Sequence, residues 1–380
     1  MFKFGFTEEQ LMLRDMVFDF AENELKPVAA KIDHDEKIPD EIIKKIGELG
    51  LLGAAFPEEY GGSGFGEVGY CLVQEGIGSA CLSTATFVGA HVSIGTNSIY
   101  IGGDEELKQR YLPLLTSGQK IAAFALTEQG AGSDAFNLKT KAELDGNEWV
   151  INGEKLWITN GPIADVFAVY ARTKKGISAF VVEKGTPGFT PGAPEKKMGI
   201  KGSQTSTLTF DNVRVPKENM IGREGHGFLI AMKTLDAGRL GLGAACLGGM
   251  KSLLKMTTQY AKERKQFDQP IANFQSVQNM LAEMAMEIYV VESILYRTAV
   301  DYDDKTMIGR QAAMVKHIAS EASCKVADLA MQVHGGMGFS KELPIERYYR
   351  DARINKIFEG TNEIQKGIIA RDVLKRNGQM

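Results

Sequence analysis

The strongest constraint on this chain is a change of texture in its middle third. Residues 121–220 hold five of its 11 prolines (Pro162, Pro187, Pro191, Pro194 and Pro216) and both tryptophans, Trp149 and Trp157. Short β-rich runs recur there: Lys139–Leu144, Trp149–Ile151, Phe167–Ala171, Ala179–Val182 and Thr205–Phe210. Turn residues such as Asp145-Gly146-Asn147 and Asn152-Gly153 separate them. No long helix survives such a stretch, because each proline removes a backbone donor and clashes with the preceding turn. On either side the hydrophobic period lengthens. Pro270 is the only proline between 217 and 343, and helices are expected near 226–250, 250–266, 274–303, 309–334, 343–351 and 361–375. Upstream, Thr7-Glu8-Glu9-Gln10 predicts a capping box, a helix follows Pro39 and ends near Gly50, and more helices fill 67–101. Asp104 then caps a segment that closes at Gly118.

This order predicts a multidomain α+β protein. Its parts are an N-terminal α-helical domain (1–120), a central β-barrel or sandwich domain (121–225) and a C-terminal four-helix-bundle domain (226–380). A Rossmann fold is excluded, because strand, Gly-rich turn and helix never alternate. The apolar content of 44% excludes disorder, and the net charge of −4 disfavours nucleic acid as a partner. No apolar run approaches the roughly 18–20 residues of a membrane span. Met1 to Gln10 resembles neither a secretory signal nor a transit peptide, so a cytoplasmic location is expected. Cys71, Cys81, Cys246 and Cys324 form no Cys-x-x-Cys pair and read as reduced. The five histidines are scattered and never spaced i, i+4, so no metal site is expected.

Four clusters can carry chemistry. Phe124-Ala-Leu126-Thr127-Glu128-Gln-Gly130-Ala-Gly132-Ser133-Asp134 runs from a strand into a turn dense in hydroxyls and backbone donors. It suits a planar acceptor-rich ligand or a phosphate, or else is an ordinary hairpin loop. Trp157-Ile158-Thr159 offers an indole beside a hydroxyl, either to stack on a heteroaromatic ring or to fill the core. Gln332-Val333-His334-Gly335-Gly336 ends a long helix, as a simple cap or as a close approach to a diphosphate or adenine. In Phe358-Glu359-Gly360-Thr361-Asn362-Glu363, Glu359 is either a partner of a helix dipole or a desolvated base.

Together these clusters resemble the acyl-CoA dehydrogenase family, and the resemblance covers essentially the whole chain. Its most specific signatures are the Leu126–Asp134 loop and the spaced run Gln332, Gly335-Gly336, Gly338, Glu342, Arg347 and Asp351. Asn137 departs mildly from the first signature, where a small residue is usual. The segments Pro194–Lys201 and Ile357–Ile364 look closest to the very-long-chain branch, without that branch's extra C-terminal region.

The resemblance implies FAD-dependent α,β-dehydrogenation of an acyl-CoA thioester to a trans-2-enoyl-CoA, as in fatty-acid β-oxidation. Glu359 would be the base, with Phe358 flanking the thioester and Gly360 leaving it room. Phe124, Leu126, Thr127, Gly132, Ser133, Trp157, Ile158 and Thr159 would line the flavin. Arg264, Gln275, Gln332, Val333, His334, Gly335, Gly336, Thr361, Asn362 and Glu363 match positions contacting the diphosphate and adenine half, several of them across a dimer interface. Ser133, Asp236 and Arg239 match positions holding the CoA portion. In two sister branches the base sits where Gly238 stands here, so Glu359 is the base expected in this chain. The implied partners are an electron-transfer flavoprotein and further copies of the chain, as a tetramer built of two dimers. An oxidase using oxygen, or a non-catalytic DNA-associated member of the fold, are the competing readings. The small residues Gly89 and Ala90 predict an acyl slot open enough for octanoyl-CoA to outperform butyryl-CoA.

Overall fold

The computed structural model describes residues 5–306 and 308–378. Helix α1 (Glu8–Phe20) begins with the expected capping box: Gln10 N–H donates to Thr7 Oγ1 at 3.2 Å, and Thr7 N–H to Gln10 Oε1 at 3.1 Å. Helices α2 (Ala29–Asp35) and α3 (Asp40–Glu48) lead to α4 (Gly66–Ala80), which is buried almost throughout. The first N–H groups of α4 are capped from far along the chain. Asp303 accepts from Glu67 N–H at 2.7 Å and from Val68 N–H at 3.0 Å. Helix α5 (Leu82–Gly89) passes through a π-helical stretch, Ala90–Thr96, into α6 (Asn97–Gly102). In α7 (Glu105–Thr116), Asp104 accepts from Leu107 N–H at 2.9 Å, as its position predicts.

The central strands are β1 (Ala122–Ala125), β2 (Lys141–Asp145), β3 (Glu148–Thr159), β4 (Val166–Thr173), β5 (Gly176–Glu183), β6 (Phe189–Pro191), β7 (Thr205–Pro216) and β8 (Met220–Ile221). They form one sheet in the order β6-β7-β3-β2-β4-β5-β8, with β1 parallel to β4, and the path does not close into a barrel. Alternation along β3 and β7 puts Trp149, Ile151, Leu208 and Phe210 into a core shared with α1 to α5.

Helix α8 (Gly227–Glu263) then runs unbroken for 37 residues, where the sequence predicts a break at 250. The Gly248-Gly249 pair near that point serves packing. A Cβ on Gly248 would lie 1.9 Å from the Glu75 carbonyl oxygen, so glycine there lets α4 and α8 touch backbone to backbone. A small hairpin, β9 (Lys265–Gln266) with β10 (Gln269–Pro270), leads to α9 (Gln275–Asp303) and α10 (Gly309–His334). Short helices α11 (Gly336–Phe339) and α12 (Ile345–Ala352) precede α13 (Asn362–Lys375). Helices α8, α9, α10 and α13 make the C-terminal bundle, whose apolar core takes in Cys71 and Leu72 of α4. Helix α4 is therefore the seam between the two helical regions.

Candidate active site

The segment before α13 holds a carboxylate in a left-handed backbone conformation. Glu359 has φ +55° and Gly360 φ +88°, so the chain turns sharply through two left-handed residues. For a glutamate that conformation costs on the order of 1–2 kcal/mol. Gln365, fully buried on α13, holds the turn by donating from Nε2 to the carbonyls of Glu359 (3.1 Å) and Gly360 (2.9 Å). Glu359 as a residue is half-buried, but its Oε2 is sealed from solvent and has no hydrogen-bond partner. Bare backbone faces it: a Cβ on Gly238 of α8 would stand 2.6 Å from that oxygen and 3.0 Å from Ile94 Cγ2. Burial pushes the Glu359 carboxyl up to about 7, while the Arg239 and Lys316 cations restrain the rise.

Both cations are themselves buried. Arg239 donates from Nη1 to Asp236 at 2.7 Å, and its Nε has no partner. Lys316 donates from Nζ to Asn362 Oδ1 at 2.9 Å, and burial brings its amine down to about 8. Asn362 also accepts from Ser320 Oγ at 3.1 Å and donates to Glu321 Oε1 at 2.8 Å. Lys316, Ile94 and Gln365 escape sequence reasoning. Lys316 left one signal: it falls on the buried stripe of α10 with Ala312, Ala319, Ser320 and Ser323.

The loop after β1 is fixed from beneath. Lys155, with a fully buried side chain, donates from Nζ to Glu128 Oε1 at 2.7 Å and to the Leu126 carbonyl at 3.1 Å. Glu128 also accepts from Thr140 N–H at 2.9 Å, while Leu156 N–H donates to the Thr127 carbonyl at 2.9 Å. Leu126 and Ile158 lie in the core, Thr127 and Thr159 are half-buried, and Gly132 and Ser133 are exposed at the loop's tip. Phe124 packs against Tyr170 with ring centroids 4.9 Å apart. Trp157 is not a core residue. It sits at φ +60° in a register shift of the β3–β7 pair and stays 56% exposed, so the bulge turns its indole outward. Trp149 is the core tryptophan.

A third group, Arg264, Gln275 and 332–336, gathers at one end of the bundle, whereas 361–363 lie against the first half of α10, where Asn362 accepts from Lys316 and Ser320. Arg264 caps α8 and Gln275 opens α9, both exposed. The His334 ring stacks on Tyr260 at 4.4 Å, Val333 is buried, and Gln332, Gly335 and Gly336 are exposed. Thr361 caps α13, accepting from Ile364 N–H, and Glu363 is exposed in its first turn. Among the described residues no hydrogen bond or ion pair joins Arg264, Gln275 or 332–336 to Glu359 or to the 126–134 loop.

The surfaces around these residues suit a flat heteroaromatic ligand with a phosphate-bearing tail. A Cβ added at Gly130, Gly132, Gly335 or Gly336 would meet nothing within 4 Å, so a ligand could come close to the backbone there, although the Gly335 N–H itself is already given to the Met331 and Gln332 carbonyls. The surroundings of Gly89 are filled. A Cβ on Gly89 would lie 3.0 Å from Gln74 Nε2 and 3.6 Å from the Tyr70 hydroxyl. The space left by the glycine is taken by side chains from α4.

Comparison with known families settles what such a chain is. Three family models cover it in order: acyl-CoA dehydrogenase, N-terminal domain, over 7–119; middle domain, over 123–213; and C-terminal domain, over 225–374. The chain belongs to the acyl-CoA dehydrogenase family. A short-chain specific acyl-CoA dehydrogenase of Clostridium acetobutylicum is 43% identical, over 98% of this chain and all of that one. An acyl-CoA dehydrogenase of Bacillus anthracis, solved complexed with FAD, superposes with TM-score 0.93 at 42% identity, covering 98% of this chain and 68% of that one. A chain described under "Electron transferring flavoprotein of Acidaminococcus fermentans" gives TM-score 0.96 at 41% identity, covering 97% and 99%. As in that family, the chain carries helical, sheet and helical regions in succession, with Glu359 facing Gly238 of α8.

Proposed function

We propose that this acyl-CoA dehydrogenase removes one α and one β hydrogen from an acyl-CoA thioester, giving a trans-2-enoyl-CoA. The observation that carries the reading is the unpartnered Glu359 Oε2, sealed against the bare backbone of Gly238 with the buried Arg239 and Lys316 cations acting on it. The Cα–H is weakly acidic, and a free carboxylate with a pKa of about 4.3 is a poor base for it. Burial strengthens the base, and the Arg239 and Lys316 cations keep enough of it ionised near neutrality. Glu359 takes the proton onto its carboxylate as the C=C bond forms. Its backbone N–H hydrogen-bonds the thioester oxygen, where negative charge grows. Phe358 flanks the thioester, and Gly360 lets it approach.

FAD is the cofactor, supported by the family and by the fit of the open glycine backbones and outward Trp157. When bound it accepts the β-hydrogen as hydride. Phe124, Leu126, Thr127, Gly132, Ser133, Trp157, Ile158 and Thr159 would hold its ring end. Arg264, Gln275, 332–336 and 361–363 would hold its diphosphate and adenine end, supplied in part by a second copy. Ser133, Asp236 and Arg239 would serve the CoA portion, Arg239 from its buried place beside Glu359. Exposed Phe267 and Phe339 at the bundle end, and Met286 and Tyr289 on α9, support a homo-oligomer, a tetramer of two dimers. An electron-transfer flavoprotein is the proposed acceptor, in the cytoplasm. No helix among the described residues is long and apolar enough to cross a membrane.

Incubation of the purified protein with butyryl-CoA and an electron-accepting dye tests the reading directly. Crotonyl-CoA is expected by chromatography, and its absence from FAD-loaded protein would refute the reaction. The base must be ionised to act, so kcat/KM should climb as pH rises through about 7 and level off above it. A profile flat from pH 5.5 to 8.5 would contradict the assignment. Gly238→Ala puts a methyl 2.6 Å from the Glu359 Oε2, too close for contact, and forces the carboxylate aside. Misplacement of that order costs about 10- to 100-fold in kcat, measurable with FAD content unchanged.

A further inference from the structure

Tyr70 and Gln74 lie one turn apart on α4, each only 1% exposed. Gln74 Nε2 donates to the Tyr70 hydroxyl at 2.8 Å, and Gln74 Oε1 is buried with no partner. The tyrosine reaches α8 at Gly241, where a Cβ would stand 2.3 Å from its hydroxyl. Gly241 is three residues beyond Gly238, the glycine that faces the Glu359 carboxylate. That spacing is a rise of about 4.5 Å along the helix. From the opposite wall, Gly89 approaches Gln74 Nε2, and Ser93 donates to the Gly89 carbonyl at 2.7 Å while lying within reach of the Tyr70 hydroxyl. A polar pair from α4 thus bridges the gap between α8 and the Gly89–Ile94 stretch, one helical turn from the base.

We propose that Tyr70 and Gln74 are the floor of the acyl slot, and that Gln74 sets both its length and its taste. The proposal rests on the acyl-CoA reading above. A thioester whose Cα faces Glu359 extends its tail along the bare face of α8 and meets the Tyr70 hydroxyl after roughly three more C–C bonds of about 1.5 Å. The slot therefore takes acyl chains of about four to five heavy atoms. The free end of the Gln74 amide has no protein partner, so a methyl pressed on it leaves it unpaired. A terminal hydroxyl satisfies it, whichever way the amide is turned. A site built around an unmet polar group discriminates by that group more sharply than by one methylene.

The test is a kcat/KM series on FAD-loaded protein with butyryl-, pentanoyl-, hexanoyl- and octanoyl-CoA, set beside 4-hydroxybutyryl-CoA, which matches pentanoyl-CoA in heavy-atom count. Affinities for the corresponding enoyl-CoA products, measured by calorimetry, give a readout independent of turnover. The wild type should favour 4-hydroxybutyryl- over pentanoyl-CoA by about tenfold, one hydrogen bond's worth, and fall at least as far from butyryl- to octanoyl-CoA. Gln74→Leu, which matches the size and lacks the amide, should reverse the hydroxyl preference. Gln74→Ala should move the optimum to longer chains and guards against a leucine variant that fails to fold. Equal use of octanoyl- and butyryl-CoA by the wild type, or an unchanged hydroxyl-to-methyl ratio in both variants, would overturn the floor while leaving the reaction standing. Inactivity of the FAD-loaded wild type toward every acyl-CoA would overturn the reaction, and the floor with it.

Discussion

Glu359→Gln is expected to slow reduction of bound flavin by acyl-CoA about 10²- to 10⁴-fold, the usual contribution of a positioned general base. The amide keeps the shape and cannot take a proton, so FAD content and substrate affinity should persist. Retention of more than a tenth of the wild-type rate would show that the proton goes elsewhere. A stability measurement adds an arm that does not depend on turnover. The folded-state pKa of Glu359 is raised from 4.5 to about 7, so its contribution to stability is fully present below about 4.5 and lost as pH climbs through 7. A shift of this size is worth about 3 kcal/mol. Glutamine resembles the protonated acid at every pH. The variant should therefore match the wild type near pH 4.5 and exceed it in stability above pH 7. A variant less stable than wild type at pH 8 would mean that the carboxylate is better solvated than its sealed Oε2 implies.

The second large effect belongs to Lys155. Its ammonium is fully buried and shared between Glu128 and the Leu126 carbonyl, and Glu128 in turn accepts from two backbone N–H groups across the loop. Removing one partner of such a pair strands a buried charge, at a cost of about 3–5 kcal/mol. Lys155→Ala should lower the denaturation midpoint and loosen the 126–134 loop, with FAD lost at lower denaturant than in the wild type. Pairing Lys155→Met with Glu128→Gln removes both charges and should recover most of the loss. If Lys155→Ala unfolds at the wild-type midpoint, the buried pair is not what holds the loop.

The reach of sequence reasoning follows from what is local. Prolines and alternating runs are local, so the helix–sheet–helix order and the caps at Thr7 and Asp104 are legible in the residues themselves. Glu359 is legible as a candidate because it stands between Phe358 and Gly360-Thr361, although its choice over a helix-dipole role needs the burial that only packing supplies. What depends on a neighbour far along the chain is not legible. The continuity of α8 through residue 250 depends on packing, because the Glu75 backbone of α4 fills the groove left by Gly248. Gly89 reads as open space until Gln74 of α4 is found 3.0 Å from where its Cβ would stand. The outward turn of Trp157 depends on a bulge, set by the register of two strands that lie 45 or more residues apart. The buried stripe of α10 marks Lys316 as unusual, but its role is not legible until Asn362 and Glu359 are placed around it.

The central claim is that Glu359 and bound FAD together oxidise an acyl-CoA at its α and β carbons. Anaerobic titration of the purified protein with butyryl-CoA, followed through the flavin absorbance, tests it most directly. The account predicts a yellow protein that bleaches within the mixing time of a manual experiment, reaching its end point near one equivalent per flavin. A protein that binds FAD and stays oxidised under excess butyryl-CoA would contradict it.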